Sequence, residues 1–259
     1  MSAPAIEFVH VRKSYANGQP ALADLSLAIA TGSFIALVGA SGSGKTTTLK
    51  LVNRLVDPDA GAVRVAGEDV TALPAPELRR RIGYVFQGIG LFPHLSVAEN
   101  IGITPRLLRW PAARIAARVT ELLTLVALPV DYATRTPAAL SGGERQRVGV
   151  ARALAAAPAI MLMDEPLGAL DPVTRDALGR DYRALHRTLG LTTLMVTHDI
   201  QEALLLADRI VVMARGRVVA DDTPHALLAG GGGAEAAALL EVPRRHAERI
   251  AAMRDAADG

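Results

Sequence analysis

Residues Gly39-Ala40-Ser41-Gly42-Ser43-Gly44-Lys45-Thr46 carry the spacing G-x-x-x-x-G-K-[ST], the pattern of a phosphate-cradling loop. Glycines let backbone N–H groups converge on phosphate oxygens without obstruction by Cβ. Lys45 has the reach for β and γ phosphates, the Thr46 hydroxyl suits a magnesium ion, and Thr47 follows at the start of the expected helix. The implied ligand is a nucleoside triphosphate with Mg²⁺. Two further stretches hold reactive groups. Asp164-Glu165 follows the apolar run Ala159–Met163, and His198-Asp199 follows Leu191–Thr197. Asp164 is placed to hold the water shell of Mg²⁺, Glu165 to take a proton from, or orient, an attacking water, and His198 to donate to the γ-phosphate.

These groups need strands to deliver them. Phe34–Val38, Ala159–Met163 and Leu191–Thr197 are short uncharged runs ended by breakers or polar residues, as buried parallel strands read. Ligands in open α/β sheets gather at strand carboxyl ends, so the three runs would converge on one site. Ile6–Val11, Leu25–Ile29 and Ala62–Ala66, set between turn signals such as Asn17-Gly18, read as antiparallel strands flanking the loop. Tyr15, just ahead of that turn, is either a sheet-edge aromatic or one that stacks on a base. Ile82–Phe86 reads as a strand ending at Gln87, where Gly88, Gly90 and Pro93 make a hinge or contact loop. From Val97 to Leu154 the pattern is helical, with Ile115, Val119, Leu122 and Val126 on one face. Ser141 with Glu144 forms a capping box, so a helix begins at Gly142-Gly143 and exposes N–H groups; that is either a plain turn or a second phosphate site. After Leu170-Asp171-Pro172 a helix aligns Leu178, Tyr182, Leu185 and Leu189. The other histidines, His10, His94, His186, His225 and His246, read as structural or surface side chains.

The bulk composition narrows the partners. With 28 basic and 26 acidic residues the net charge is +2, and only 3% of residues are aromatic, which argues against nucleic acid. The chain has no cysteine, hence no disulfide or thiolate metal site, and that fits a cytoplasmic protein. No apolar stretch reaches the roughly 20 residues a bilayer span requires, and the N-terminus carries no export pattern.

In order along the chain, these residues resemble the ATP-binding subunit of an ABC transporter over roughly residues 5 to 228. Gly39–Thr46 is similar to Walker A, Gln87 to the Q-loop, and Leu140–Gln146 to the LSGGQ-type signature with Glu144 in the usual Gln position. Ile160–Glu165 is similar to Walker B, Leu170-Asp171 to the D-loop, His198 to the switch histidine, and Tyr15 to the adenine-stacking aromatic. The resemblance implies an α/β P-loop core with a parallel sheet, an antiparallel β subdomain and a helical subdomain at about residues 88–155. The ATPase domain would end near 228, with residues 229–259 a Gly-rich linker and helical tail that has left the core after Asp221–Pro224. It further implies a head-to-tail pair of chains, in which Ser141, Gly142, Gly143, Glu144 and Asp171 of one copy approach ATP held by the other. Glu165, His198, Gln87 and Lys45 would be catalytic, with Thr46, Asp164 and Gln87 around the metal. The partners implied are separate permease subunits and, through them, a solute-binding protein, at the cytoplasmic face of the inner membrane.

A narrower resemblance, in Thr46–Leu55 and Ile89–His94, is to the osmoprotectant branch importing glycine betaine, choline or carnitine; Gly88 departs from the second glutamine common there. Import of another small solute, such as an amino acid or sulfonate, and non-import machines for lipoprotein release or cell division stay open from the sequence. A GTPase would need an N-K-x-D motif, and the chain has none.

Overall fold

The structure is a computed structural model that describes residues 3–15, 18 and 20–257, with part of the last helix described as backbone alone. Asn17 and the side chain of His246 lie outside the described residues. In chain order the elements are β1 (Ile6–Ser14), β2 (Pro20–Ile29), β3 (Phe34–Val38), α1 (Lys45–Val52), β4 (Ala60–Val65), β5 (Glu68–Asp69), α2 (Ala75–Arg81) and β6 (Ile82–Val85). A helical stretch follows, α3 (Val97–Ile101), α4 (Ile103–Leu107), α5 (Ala112–Leu125) and α6 (Gly142–Leu154). The chain then runs through β7 (Ile160–Asp164), α7 (Pro172–Leu189), β8 (Thr192–Val196), α8 (Ile200–Leu206), β9 (Arg209–Ala214), β10 (Arg217–Asp222), α9 (Pro224–Leu228) and α10 (Gly233–Ala257).

Two sheets form. The larger has the order β10-β9-β3-β8-β7-β6 and is parallel except for β10, while β2-β1-β4-β5 is antiparallel. Every residue of β3, β7 and β8 is buried, because both faces of the large sheet are covered. Alternation along β3 sorts the side chains: Phe34, Ala36 and Val38 pack toward the helical side, Ile35 and Leu37 toward the antiparallel lobe. Neighbouring strands run in step, Asp164 beside Val196 and Leu37 beside Val196, so the carboxyl ends of β3, β7 and β8 open on the same edge.

Helix boundaries follow local chemistry. Ser141 accepts the Glu144 N–H while Glu144 accepts the Ser141 N–H, so α6 starts with the expected reciprocal cap. α7 begins at the cap Asp171 followed by Pro172, and ends at Gly190 in the left-handed region.

Two expectations need correction. On α7, Leu178 and Tyr182 are buried, but Leu189 is exposed and His186 takes the inward place. His186 lies one helical turn after Tyr182, its ring is 5.2 Å from that of Phe34, and its Nδ1 is 3.0 Å from Thr193 Oγ1. Nor has the chain left the core at Pro224: Leu227 and Ala236 are buried with the main cluster. Gly232 sits at φ 82, where a Cβ would come within 2.6 Å of Leu227 and 2.7 Å of Ala236, so this glycine is packed against the domain.

Candidate functional site

The loop between β3 and α1 turns on Gly39, at φ 147; a Cβ there would lie 2.1 Å from the Met213 carbonyl oxygen, so only glycine fits. α1 opens without a side-chain cap and without an acidic residue in its first turn, which leaves its N–H groups and positive dipole end facing outward. Lys45 is buried, and its ammonium donates to the carbonyls of Gly39 (2.8 Å) and Ala40 (2.9 Å) and to Ser43 Oγ (3.3 Å). Burial holds its pKa below the ordinary lysine value, opposed by the charges of Glu165 and Asp164.

The carboxyl ends of β7 and β8 bring the other groups to this loop. Thr46 Oγ1 donates to Asp164 Oδ1 at 3.2 Å. Burial raises the Asp164 pKa and the negative Glu165 adds to the rise, against the Thr46 hydrogen bond and the lysines Lys50 and Lys45. Glu165, at φ 45, has a left-handed backbone that a non-glycine residue adopts at a cost. Its side chain accepts from Gln87 Nε2 at 3.0 Å and faces His198 Nδ1 at 3.4 Å. A cleft of about 720 Å³ is lined by Tyr15, Pro20, Ala21, the run Ser41–Thr47, Glu165 and His198, large enough for a nucleotide. Tyr15 is exposed at one end, its hydroxyl 3.4 Å from Thr47 Oγ1.

Comparison with known proteins agrees with this geometry. The family described as "ABC transporter" matches residues 22–168, more than half of the chain. The chain belongs to the ABC transporter family. It is 55% identical over 223 residues to the glycine betaine uptake system ATP-binding protein YehX of Escherichia coli (strain K12), covering 86% of this chain and 72% of that protein. It is 49% identical over 219 residues to the choline transport ATP-binding protein OpuBA of Bacillus subtilis (strain 168), covering 85% of this chain but only 58% of that relative. Among solved structures it resembles the dimeric post-hydrolysis state of the ATP-binding cassette MJ0796 bound to ADP and Pi. There the TM-score is 0.76 at 34% identity, covering 85% of this chain and 98% of that one.

Within one ABC chain the remaining motif residues stand apart from the cleft. Ser141, Gly142, Gly143 and Glu144 form the tip of α6, and none of them lines it. The Glu144 pKa is lowered chiefly by its hydrogen bonds to Ser141, helped by one from Tyr132 Oη at 3.1 Å. Asp171 also lies off the cleft, capping α7 by accepting the N–H groups of Val173 (3.1 Å) and Thr174 (3.0 Å).

Two side chains that the sequence reading passed over support the site. Arg152, buried near the end of α6, donates to the carbonyls of Ile89 (2.8 Å) and Gly90 (2.6 Å), and so anchors the loop that follows Gln87. Ile89 sits there at φ 70, an unfavourable backbone for a β-branched residue that this anchor helps to hold. Glu202 is buried on α8 and accepts from Thr197 Oγ1, with its Oε1 unpartnered. Asp199, a cap three residues before a glutamate, was the sequence signal that could have marked this corner.

Burial raises the Glu202 pKa from 4.5 to about 7. The folded state therefore favours the protonated acid, and its contribution to stability, present in acid, is lost as pH rises through about 7. Glu202→Gln removes that titration. Between about pH 5 and pH 8 the wild type is expected to lose roughly 2–3 kcal/mol relative to the variant, read as diverging unfolding midpoints. Parallel midpoints would show that Glu202 does not titrate in this range.

Proposed function

We propose that the chain is the ATP-hydrolysing subunit of an importer for quaternary ammonium osmoprotectants, of the class of glycine betaine, choline and carnitine. The observation that carries the reading is the meeting of Lys45, Thr46, Asp164, Glu165, Gln87 and His198 at one sheet edge, in a chain about half identical to ATP-binding proteins of glycine betaine uptake and choline transport.

Each residue then has a task. The Lys45 ammonium exchanges the Gly39 and Ala40 carbonyls for phosphate oxygens, a better partner for a buried cation. The α1 N-terminus and the loop N–H groups from Ser41 to Thr46 add to the phosphate cradle, and Tyr15 takes the adenine face. Thr46, Asp164 and Gln87 fit a magnesium ion: hydroxyl, carboxylate and amide oxygens suit that hard cation, and a cation would relieve the burial that disfavours the Asp164 carboxylate. Among the described residues no three His, Cys, Asp or Glu side chains cluster to hold a metal, so the other ligands would be phosphate and water. The ion would neutralise charge between the β and γ phosphates. Glu165 accepts the proton of the attacking water, oriented by Gln87, and His198 donates to the γ-phosphate.

The cleft lacks the α6 tip, which a second copy in head-to-tail arrangement would supply through Ser141 and Gly143. Among the described residues no helix is long and apolar enough to cross a membrane. The similarity to uptake and transport ATP-binding proteins supports assigning permeation to separate subunits, fed by a solute-binding protein. We assign their contact to the loop around Gln87 to His94, with Phe86 exposed just before it and Phe92 exposed within it, beside a groove that Leu55 and Arg152 also line. Reconstitution with the cognate permease and binding protein in vesicles tests the reading. ATP-dependent uptake of radiolabelled betaine or choline is expected. Uptake of an amino acid or sulfonate instead would overturn the substrate, and absence of ATP hydrolysis would overturn the activity.

A further inference from the structure

The histidine segment and the turn at Asp171 are far apart in sequence, yet one side chain joins them. Arg175, in the second turn of α7, donates from Nη1 to Asp199 Oδ2 (3.1 Å) and from Nη2 to the Leu170 carbonyl (3.1 Å). Asp199 is held at its own end: its N–H donates to Thr197 Oγ1 (3.0 Å), and its Oδ1 caps α8 through Gln201 (2.9 Å) and Glu202 (3.3 Å). His198 lies between Thr197 and Asp199, so a displacement of its backbone moves both. At the other end, Leu170 and Thr174 back the α6 tip. A Cβ on Gly143 would meet Thr174 Cγ2 at 2.7 Å, and one on Gly142 would meet Leu170 Cδ2 at 3.8 Å.

We propose that Arg175 is a positioning residue that couples the His198 segment to the Leu170–Thr174 turn, so that the state of one chain's cleft is passed to the α6 tip of the same chain. The inference rests on the reading of the cleft as a site of ATP hydrolysis, with that tip serving the partner's nucleotide. A guanidinium suits the task because its rigid planar fork fixes the carboxylate and the carbonyl in one relative geometry, which the rotating ammonium of lysine, though it can meet several acceptors, does not impose. The pair is only part-buried, with side-chain exposures of 32% and 27%, so its strength as a stabilising ion pair is small. Geometry, rather than stability, is what it contributes.

The test compares Arg175→Gln, Asp199→Asn and the double variant in the permease-bound enzyme. Asn keeps the cap on α8 and removes only the charge. Each single variant is expected to lower kcat about tenfold, with KM for ATP and affinity for a fluorescent ATP analogue within about twofold. The double variant should be no slower than the slower single one, and Arg175→Lys should recover part of the loss. Unchanged kcat, multiplicative losses, or losses that follow nucleotide affinity would overturn the link. Hydrogen–deuterium exchange of the nucleotide-free protein reads it without turnover: Asp199→Asn should speed exchange at Val173 and Thr174, and unchanged exchange counts against the coupling. A wild type that hydrolyses no ATP overturns the functional reading, while exchange still decides the link.

Discussion

Glu165→Gln is expected to bind ATP as the wild type does, to hydrolyse it at least about 10²-fold more slowly, and to accumulate as an ATP-loaded dimer. The amide keeps the shape and an acceptor oxygen for Gln87, which bonds Glu165 at 3.0 Å, so the cleft is not rebuilt. It cannot take a proton from water, and a positioned base is worth about 10²–10⁴ in rate. Lys45 and the α1 N-terminus, which hold the phosphates in the proposed mechanism, are untouched. Turnover measured by phosphate release, beside the elution volume with and without ATP, checks both halves. Wild-type turnover in the variant would remove Glu165 as the base, and slow turnover without a dimer would separate hydrolysis from dissociation.

Much of the cleft was legible because its residues stand where secondary structure changes. The loop announces itself through fixed glycine spacing, and Asp164 and His198 through the uncharged runs that precede them. Burial on both faces of the sheet demands such runs, and the sheet's parallel register then aligns their ends. The cap of α6 was readable for a similar reason, since a serine and a glutamate three residues apart answer a local need of the backbone. Arg152, Arg175 and Glu202 did not stand out, because a charged residue inside a helical pattern reads as solvated whichever partner it finally meets. Their partners, Ile89, Leu170 and Thr197, lie in other elements, and only the folded chain brings them together. The inward place of His186 does not show in the apolar pattern of α7, because a polar ring is kept inside only by a partner from another element. Its hydrogen bond to Thr193 is what makes burial tolerable.

The second large effect concerns the α6 tip. Ser141→Asp is expected to leave ATP binding by the single chain within about twofold of wild type, because no residue of the tip lines the cleft. It should abolish ATP-driven pairing when combined with Glu165→Gln. Shifting a two-state equilibrium from 1:99 to 99:1 takes about 5.5 kcal/mol, or roughly 2.8 kcal/mol at each of two equivalent sites. One or two charge-assisted hydrogen bonds to the triphosphate, at about 1.5–3 kcal/mol each, supply that. A carboxylate placed about 4 Å from the phosphate charge opposes it by about 4 kcal/mol at the dielectric typical of a protein surface, which is enough to prevent closure. The substitution isolates this repulsion, because Asp caps a helix as well as Ser does and Asp199 already caps α8 in this chain with a glutamate three residues on. Ser141→Asn, equally good as a cap and uncharged, should still pair. Light scattering behind size-exclusion separation, with and without ATP, distinguishes the three. If Ser141→Asp pairs as readily as its parent, the tip does not reach the partner's nucleotide. If it weakens binding to the single chain instead, the tip serves the cleft of its own chain and the head-to-tail arrangement is wrong.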